Sequence, residues 1–175
     1  MTGDILIELA KQEDYHQIES IWMDGWGANH WGTLPSREQM TRFHENFISR
    51  SFPFTFWVAR CGSQVLGWVS VLPAFYHPIK AKKEAEISIY IDELVRNKGI
   101  GTAMLQIVLG NLEISEIQTI WAFIAKSNIG SLSLFTNAGL DICGATSDRK
   151  ILIKERRSDD SPINTTVSEE HFISS

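Results

Sequence analysis

The stretch Glu86-Ile-Ser-Ile-Tyr-Ile-Asp-Glu-Leu-Val-Arg-Asn-Lys-Gly-Ile-Gly101 restricts the fold more than any other part of the chain. Its first half alternates with period two: Ile87, Ile89 and Ile91 share an apolar face, and Glu86, Ser88 and Tyr90 share a polar one. From the glycines onward the period changes, and Ile100, Ala103, Met104, Ile107 and Val108 recur at helical spacing. A strand over residues 86–92 therefore passes through one short loop into an amphipathic helix. Each has a single apolar side to bury, which commits the chain to stacked layers of sheet and helix.

The remaining segments supply matching elements. Residues 5–10 alternate as a first strand, and Asp14 can cap a helix over 15–26. Residues 25–35, rich in Gly and Trp, read as a loop, and Ser36 starts a second helix ending near 48. Two β-like runs, 54–59 and 65–72, are joined by Cys61-Gly62-Ser63-Gln64 as a hairpin. A polar loop covers 73–83; a strand over 117–125, a helix over 128–138 with Gly139 as C-cap, and short strands over 141–144 and 150–154 follow. This order predicts an α/β (α+β) fold, a mixed sheet with helices on both faces. A length of 175 residues suits one domain, expected at 1–157, with the polar, aperiodic segment 158–175 as a disordered tail.

Composition narrows the function classes. Sixteen Lys and Arg against 21 Asp and Glu give a formal charge of −5, which argues against a nucleic-acid partner. Cys61 and Cys143 lie far apart with no CxxC pattern or histidine cluster, so free thiols and no metal site are expected. His16, His44 and His171 have no partner that suggests a role. No leader pattern opens the chain and no apolar run approaches the roughly 20 residues of a membrane span, so a cytoplasmic protein is expected.

The loop Arg96-Asn97-Lys98-Gly99-Ile100-Gly101, continuing into Thr102, opens a helix. A helix N-terminus presents unpaired N–H groups and partial positive charge, and glycine lets the backbone approach a phosphate closely. Neither the P-loop pattern nor the dinucleotide fingerprint fits these residues. By themselves they are also compatible with a tight strand–helix turn that holds no ligand.

The loop after its strand resembles the acetyl-CoA loop of the GNAT superfamily of N-acetyltransferases. Asn128-Ile-Gly-Ser131-Leu-Ser-Leu-Phe135-Thr-Asn-Ala-Gly139-Leu140 is similar to that superfamily's next helix, and Glu86-Ile-Ser-Ile-Tyr-Ile to the fourth strand of its phosphinothricin acetyltransferase branch. The resemblance runs from about Ile5 to Gly144 and implies a mostly antiparallel GNAT-type sheet. It implies that N–H groups of residues 96–101 bind the pyrophosphate of acetyl-CoA. It also implies that the strand around Ile89, Tyr90 and Ile91 splays from its neighbour to pair with the pantetheine arm. Asn128 would bond that arm, with Ser131 nearby. Asn128 read alone is an N-cap, and both readings can hold together.

The implied reaction moves an acetyl group to a primary amine. A carboxylate at a strand end can take the proton of the attacking amine, and Glu86 is the candidate; a solvated strand-end charge is the alternative. The superfamily commonly has a tyrosine at the position of Phe135 to protonate the leaving thiolate. Phenylalanine cannot, so Tyr90, Ser131 or water would serve, or the protein is catalytically weak. Leu140 replaces the usual phenylalanine, and the chain after Gly144 lacks a segment the branch often carries.

Trp22, Trp26 and Trp31 fall close together with Asn29, His30 and Thr33 among them. Trp26, Trp31 and Thr33 are the acceptor-pocket candidates, although indoles at this density also build cores. Lys80, Lys82 and Lys83 are a solvated patch or hold a substrate carboxylate. Three functions stay open: acetylation of a small, amino-acid-like amine, CoA sensing without catalysis, and acetylation of protein amines. A homodimer is implied by the resemblance alone.

Overall fold

The computed structural model describes residues 4–29, 34–74 and 83–156. Among these residues, seven strands, β1 (Leu6–Leu9), β2 (Phe56–Cys61), β3 (Gln64–Pro73), β4 (Glu84–Ile91), β5 (Thr119–Ala125), β6 (Asp141–Ala145) and β7 (Arg149–Glu155), form one sheet. The spatial order is β1-β2-β3-β4-β5-β7-β6. Every neighbouring pair is antiparallel except β4 and β5, which run parallel because α3 connects them. Among the described residues the α-helices are α1 (Tyr15–Asn29), α2 (Arg37–Ile48), α3 (Ile100–Glu113) and α4 (Ile129–Asn137).

The period-two strands divide the core in two. On one face, Met104, Leu105, Val108, Leu109 and Leu112 of α3 pack with Phe135 of α4 against Val69, Ile87 and Ala122. On the other, Ile18, Ile21 and Trp22 of α1 and Phe43 and Phe47 of α2 pack against Phe56, Val58 and Trp68. Phe43 stacks on Trp22 at 4.3 Å, and α2 begins at a capping box between Ser36 and Gln39. Helices on both faces are as the sequence predicts.

Two local expectations change. Helix α1 continues through Trp26 to Asn29, so residues 25–29 are helical rather than loop; packing of its apolar side outweighs the two glycines' low helix propensity. Asp14 does not cap α1. It ends a short 3₁₀ turn, where its carboxylate accepts the Lys11 N–H at 2.7 Å and meets the Arg60 guanidinium at 2.6 Å. Arg60 also pairs with Glu8 at 2.8 Å, which ties the start of α1 to β1 and β2. Trp31, Thr33, His30, Lys80, Lys82 and the tail 158–175 lie outside the described residues.

Asp14 is 1% exposed, so deleting its charge takes away one of the two carboxylates, Asp14 and Glu8, that pair with Arg60 in a poorly solvated place. Asp14→Ala is expected to cost about 3 kcal/mol in urea unfolding, the size typical of a broken buried pair. A loss under about 1 kcal/mol would mean that water screens the pair as it does at surfaces.

Candidate functional site

The parallel pairing of β4 with β5 lasts three residues, Glu84–Thr119, Ala85–Ile120 and Glu86–Trp121. The Trp121 indole N–H donates to the Glu84 carboxylate at 3.0 Å and closes this end. Beyond it the strands diverge, and a cleft of about 700 Å³ opens between them. Along β4, Asp92 N–H donates to Leu66 and Glu84 C=O accepts from Ala74, so even-numbered residues bond β3. The N–H and C=O groups of Ile87 and Ile89 therefore face the open side. Strand hydrogen bonding is available there to an extended ligand.

The loop leaving β4 is folded onto its own strand. Asp92 accepts the Leu94 N–H at 2.9 Å, and Arg96 Nε donates to Ile91 C=O at 3.2 Å. Val95 and Ile100 are buried at either end, so the loop between them is held at a fixed height over the cleft. Asn97 and Gly99 take left-handed φ of 62° and 80°. Gly99 is the N-cap of α3 and offers no side-chain cap, and no acidic residue sits in the first turn. Ala103 N–H bonds Gly99 C=O, which leaves the N–H groups ahead of it directed out of the helix end. Arg96, Asn97, Gly99, Ile100, Gly101 and Thr102 all line the cleft; Lys98 is exposed and does not.

Opposite them, the N-terminus of α4 borders the same cleft with Asn128 and Ser131. Asn128 Oδ1 accepts the Ser131 N–H at 3.0 Å, the N-cap geometry. Phe135 lines the cleft too, yet is only 2% exposed and belongs to the α3-side core.

The other face of the sheet presents polar groups at this opening. Tyr90 stacks on Trp68 at 4.7 Å, lies against Gly25 of α1, and receives a hydrogen bond from Trp22. Glu86 belongs to the last paired position, at the apex beside the cleft rather than in its lining. Burial pushes its carboxyl above the ordinary carboxylate value, and the Arg149 guanidinium pulls it partly back. Tyr90 is pushed up by burial in the same way, so its phenol keeps its proton. Among the described residues no helix is long and apolar enough to cross a membrane, and no group of metal-ligating side chains gathers.

Residues 10–140 match the model of the acetyltransferase (GNAT) family. The chain belongs to that family. It is 37% identical over 101 residues to YwnH of Bacillus subtilis strain 168, described as a candidate phosphinothricin acetyltransferase. That match covers 52% of this chain and 61% of YwnH, so the similarity spans under two thirds of the relative's length. A crystal structure of a candidate phosphinothricin N-acetyltransferase is 27% identical with a TM-score of 0.71, covering 87% of this chain and 98% of that one. The structure of yncA from Salmonella typhimurium, an acetyltransferase candidate solved with its cofactor acetyl-CoA, shares the fold. Its TM-score is 0.73 at 16% identity over 92% of this chain and 99% of that one.

Within this GNAT fold the sequence-derived residues of β4, the α3 loop and α4 gather along one cleft, except Lys98, which is exposed, and Glu86, which stands beside it. Trp26 does not join them: it stands in α1, edge-on to Trp22 at 5.5 Å, and packs on the α1-side core. Arg149, Phe123 and Gly25 line the cleft without having been anticipated. Arg149 and Phe123 come from strands whose order across the sheet leaves no mark in the sequence. Gly25 alone had a readable signal, a glycine inside a helical pattern.

A Cβ on Gly25 would stand 2.4 Å from Cδ1 of Tyr90. Gly25→Ala should therefore destabilise the fold by about 1–3 kcal/mol through overpacking. In a double-mutant cycle, Tyr90→Ala should recover most of that loss, read by urea denaturation. Additive costs would show that the ring yields freely.

Proposed function

We propose that this chain transfers an acetyl group from acetyl-CoA to a primary amine of a small, amino-acid-like molecule, by direct attack in a ternary complex. The observation that carries the reading is the cleft itself: a diverging strand edge that leads to an uncapped helix N-terminus. The cradle fits a pyrophosphate, since the N–H groups of residues 99–102 stand at the positive end of the α3 dipole with no carboxylate competing in the first turn. The open edge of Ile87 and Ile89 would receive the pantetheine amides, with Tyr90 and Ile91 beside it, and Asn128 and Ser131 would border the arm. Arg96 and Lys98 add positive charge near the phosphates. Family membership supports the same activity.

Each residue then has a definable task. The amine nitrogen forms a bond to the thioester carbonyl carbon, and the C–S bond breaks. The nitrogen gives up a proton to Glu86, directly or through water, while the sulfur acquires one. A backbone N–H on the open edge of β4 would stabilise the oxyanion without reorganising. Tyr90, kept protonated by burial, and Ser131 are the candidate hydroxyls for the thiolate, with water as the alternative, because Phe135 has none. The acceptor would enter from the α1 side; of its sequence-derived candidates, Trp26 packs in the core of that side, and Trp31 and Thr33 lie outside the described residues. A cytoplasmic homodimer belongs to the same reading. Phe135 also favours a second one, in which the chain binds CoA and turns over little.

A base works only when ionised. Because burial raises the Glu86 pKa, kcat/KM should climb with pH through a value above the usual carboxylate range. Glu86→Gln should erase that limb and lower kcat about 10²–10⁴-fold, with the acetyl-CoA Kd unchanged. A loss below about threefold would return the role to water.

Gly99 has a left-handed φ of 80°, and a Cβ on Gly101 would lie 3.3 Å from Leu134. Gly99→Val and Gly101→Val should each weaken CoA binding about tenfold or more, as a distorted cradle costs about 1–3 kcal/mol. Calorimetry on variants with native circular dichroism checks it, and unchanged affinity in both would remove the phosphate site from this loop.

A further inference from the structure

Strand parity decides which side chains face the α1 side of the cleft. Ala122 and Ile124 of β5 and Leu152 of β7 are buried in the α3-side core, so Trp121 and Phe123 of β5 and Arg149 and Ile151 of β7 point the opposite way. They share that face with Glu86, Ser88 and Tyr90 of β4. Arg149 pairs with Ala125 at the open end of β5, whereas Glu86 pairs with Trp121 at the closed end. A guanidinium and a carboxylate thus stand at opposite ends of one opening, separated by four residues or about 13 Å of strand. Their long side chains narrow this gap, and half-buried Phe123 lies between the two ends.

We propose that Arg149 is the anion-binding residue of the acceptor site, holding a carboxylate of the substrate while the substrate's amine lies toward Glu86. This deepens the acetyl-transfer reading and rests on it. The arrangement complements a zwitterion: ammonium beside the carboxylate, carboxylate beside the guanidinium, and carbon skeleton along the Phe123 ring. A guanidinium suits the task because its parallel N–H groups match the two oxygens of a carboxylate. Its field is felt within the cleft, since it acts on both Glu86 and Tyr90. At the rim Arg149 Nε also meets the exposed carboxylate of Asp148 at 3.6 Å, which accepts from Thr146 at 2.9 Å.

The test compares acceptors that differ only in the carboxylate, leucine against isoamylamine and phenylalanine against phenethylamine. Wild-type protein should favour the amino acid of each pair in kcat/KM. Arg149→Gln should reduce that preference about 10–100-fold, the worth of a charge-assisted hydrogen-bonded contact, and Arg149→Lys should keep part of it. Because Arg149 also acts on Glu86, absolute rates will move, but that effect is common to both acceptors and cancels in the ratio. A ratio within about threefold of wild type in Arg149→Gln, or a wild type with no preference, overturns the proposal. If wild type acetylates no amine, the transfer reading fails separately. The subsite is then read by calorimetry on the CoA-loaded protein, with N-acetylleucine and N-isoamylacetamide as probes. Tighter binding of N-acetylleucine that Arg149→Gln abolishes supports the subsite, and equal binding of the two overturns it.

Discussion

Parallel pairing that stops after three residues is the constraint on which the rest of this protein depends. Both strands are committed elsewhere. β4 stays with β3 over seven residue pairs, and β5 stays with β7 over seven. Gly67 makes the first commitment possible, because a Cβ there would stand 2.5 Å from the Ile91 side chain and 2.9 Å from the Tyr90 carbonyl. The closed end is fixed by Trp121–Glu84 and by the N–H groups of Gln118 and Thr119 on the Lys83 carbonyl. With one end tied and each strand following a different partner, the halves of the sheet twist apart. The opening is thus a consequence of hydrogen-bond bookkeeping along whole strands, and no single residue creates it.

That opening brings two chemically different surfaces to one place. The α3 side offers backbone: strand-edge amides and a helix end whose N–H groups have no intrahelical acceptors. Backbone donors are polar without carrying charge, so they can sit beside the apolar core that Ile89, Leu134 and Phe135 help to form. The α1 side offers side chains, with Glu86, Tyr90 and Arg149 on a partly aromatic wall. A ligand recognised by backbone and a ligand recognised by charge can therefore meet across the sheet without their sites overlapping.

Much of the α3 side was legible in the sequence because its signals are local. Alternation at 86–91, glycine at 99 and 101, and helical spacing after them are properties of adjacent residues, and the helix cap at Asn128 is another. Elements were legible where one period held; their ends shifted by a residue or two, as at β2, which starts at Phe56 while Phe54 forms an isolated bridge with Ser51. Trp26 shows how a local rule misleads. Its neighbouring glycines read as a loop, but burial of Ile18, Ile21 and Trp22 on one side of α1 carries the helix past them.

The sequence by itself determined the elements, the apolar faces and the phosphate-type loop, because each follows from periodicity and backbone chemistry within a short window. Only the tertiary structure decided where β4 parts from β5, that Gly25 yields its space to Tyr90, and that Arg149 shares a face with Glu86. Arg149 and Glu86 are 63 positions apart, being residues 149 and 86, on strands separated by a third. Sheet order and register bring them together, and these arise from long-range pairing that no local pattern encodes.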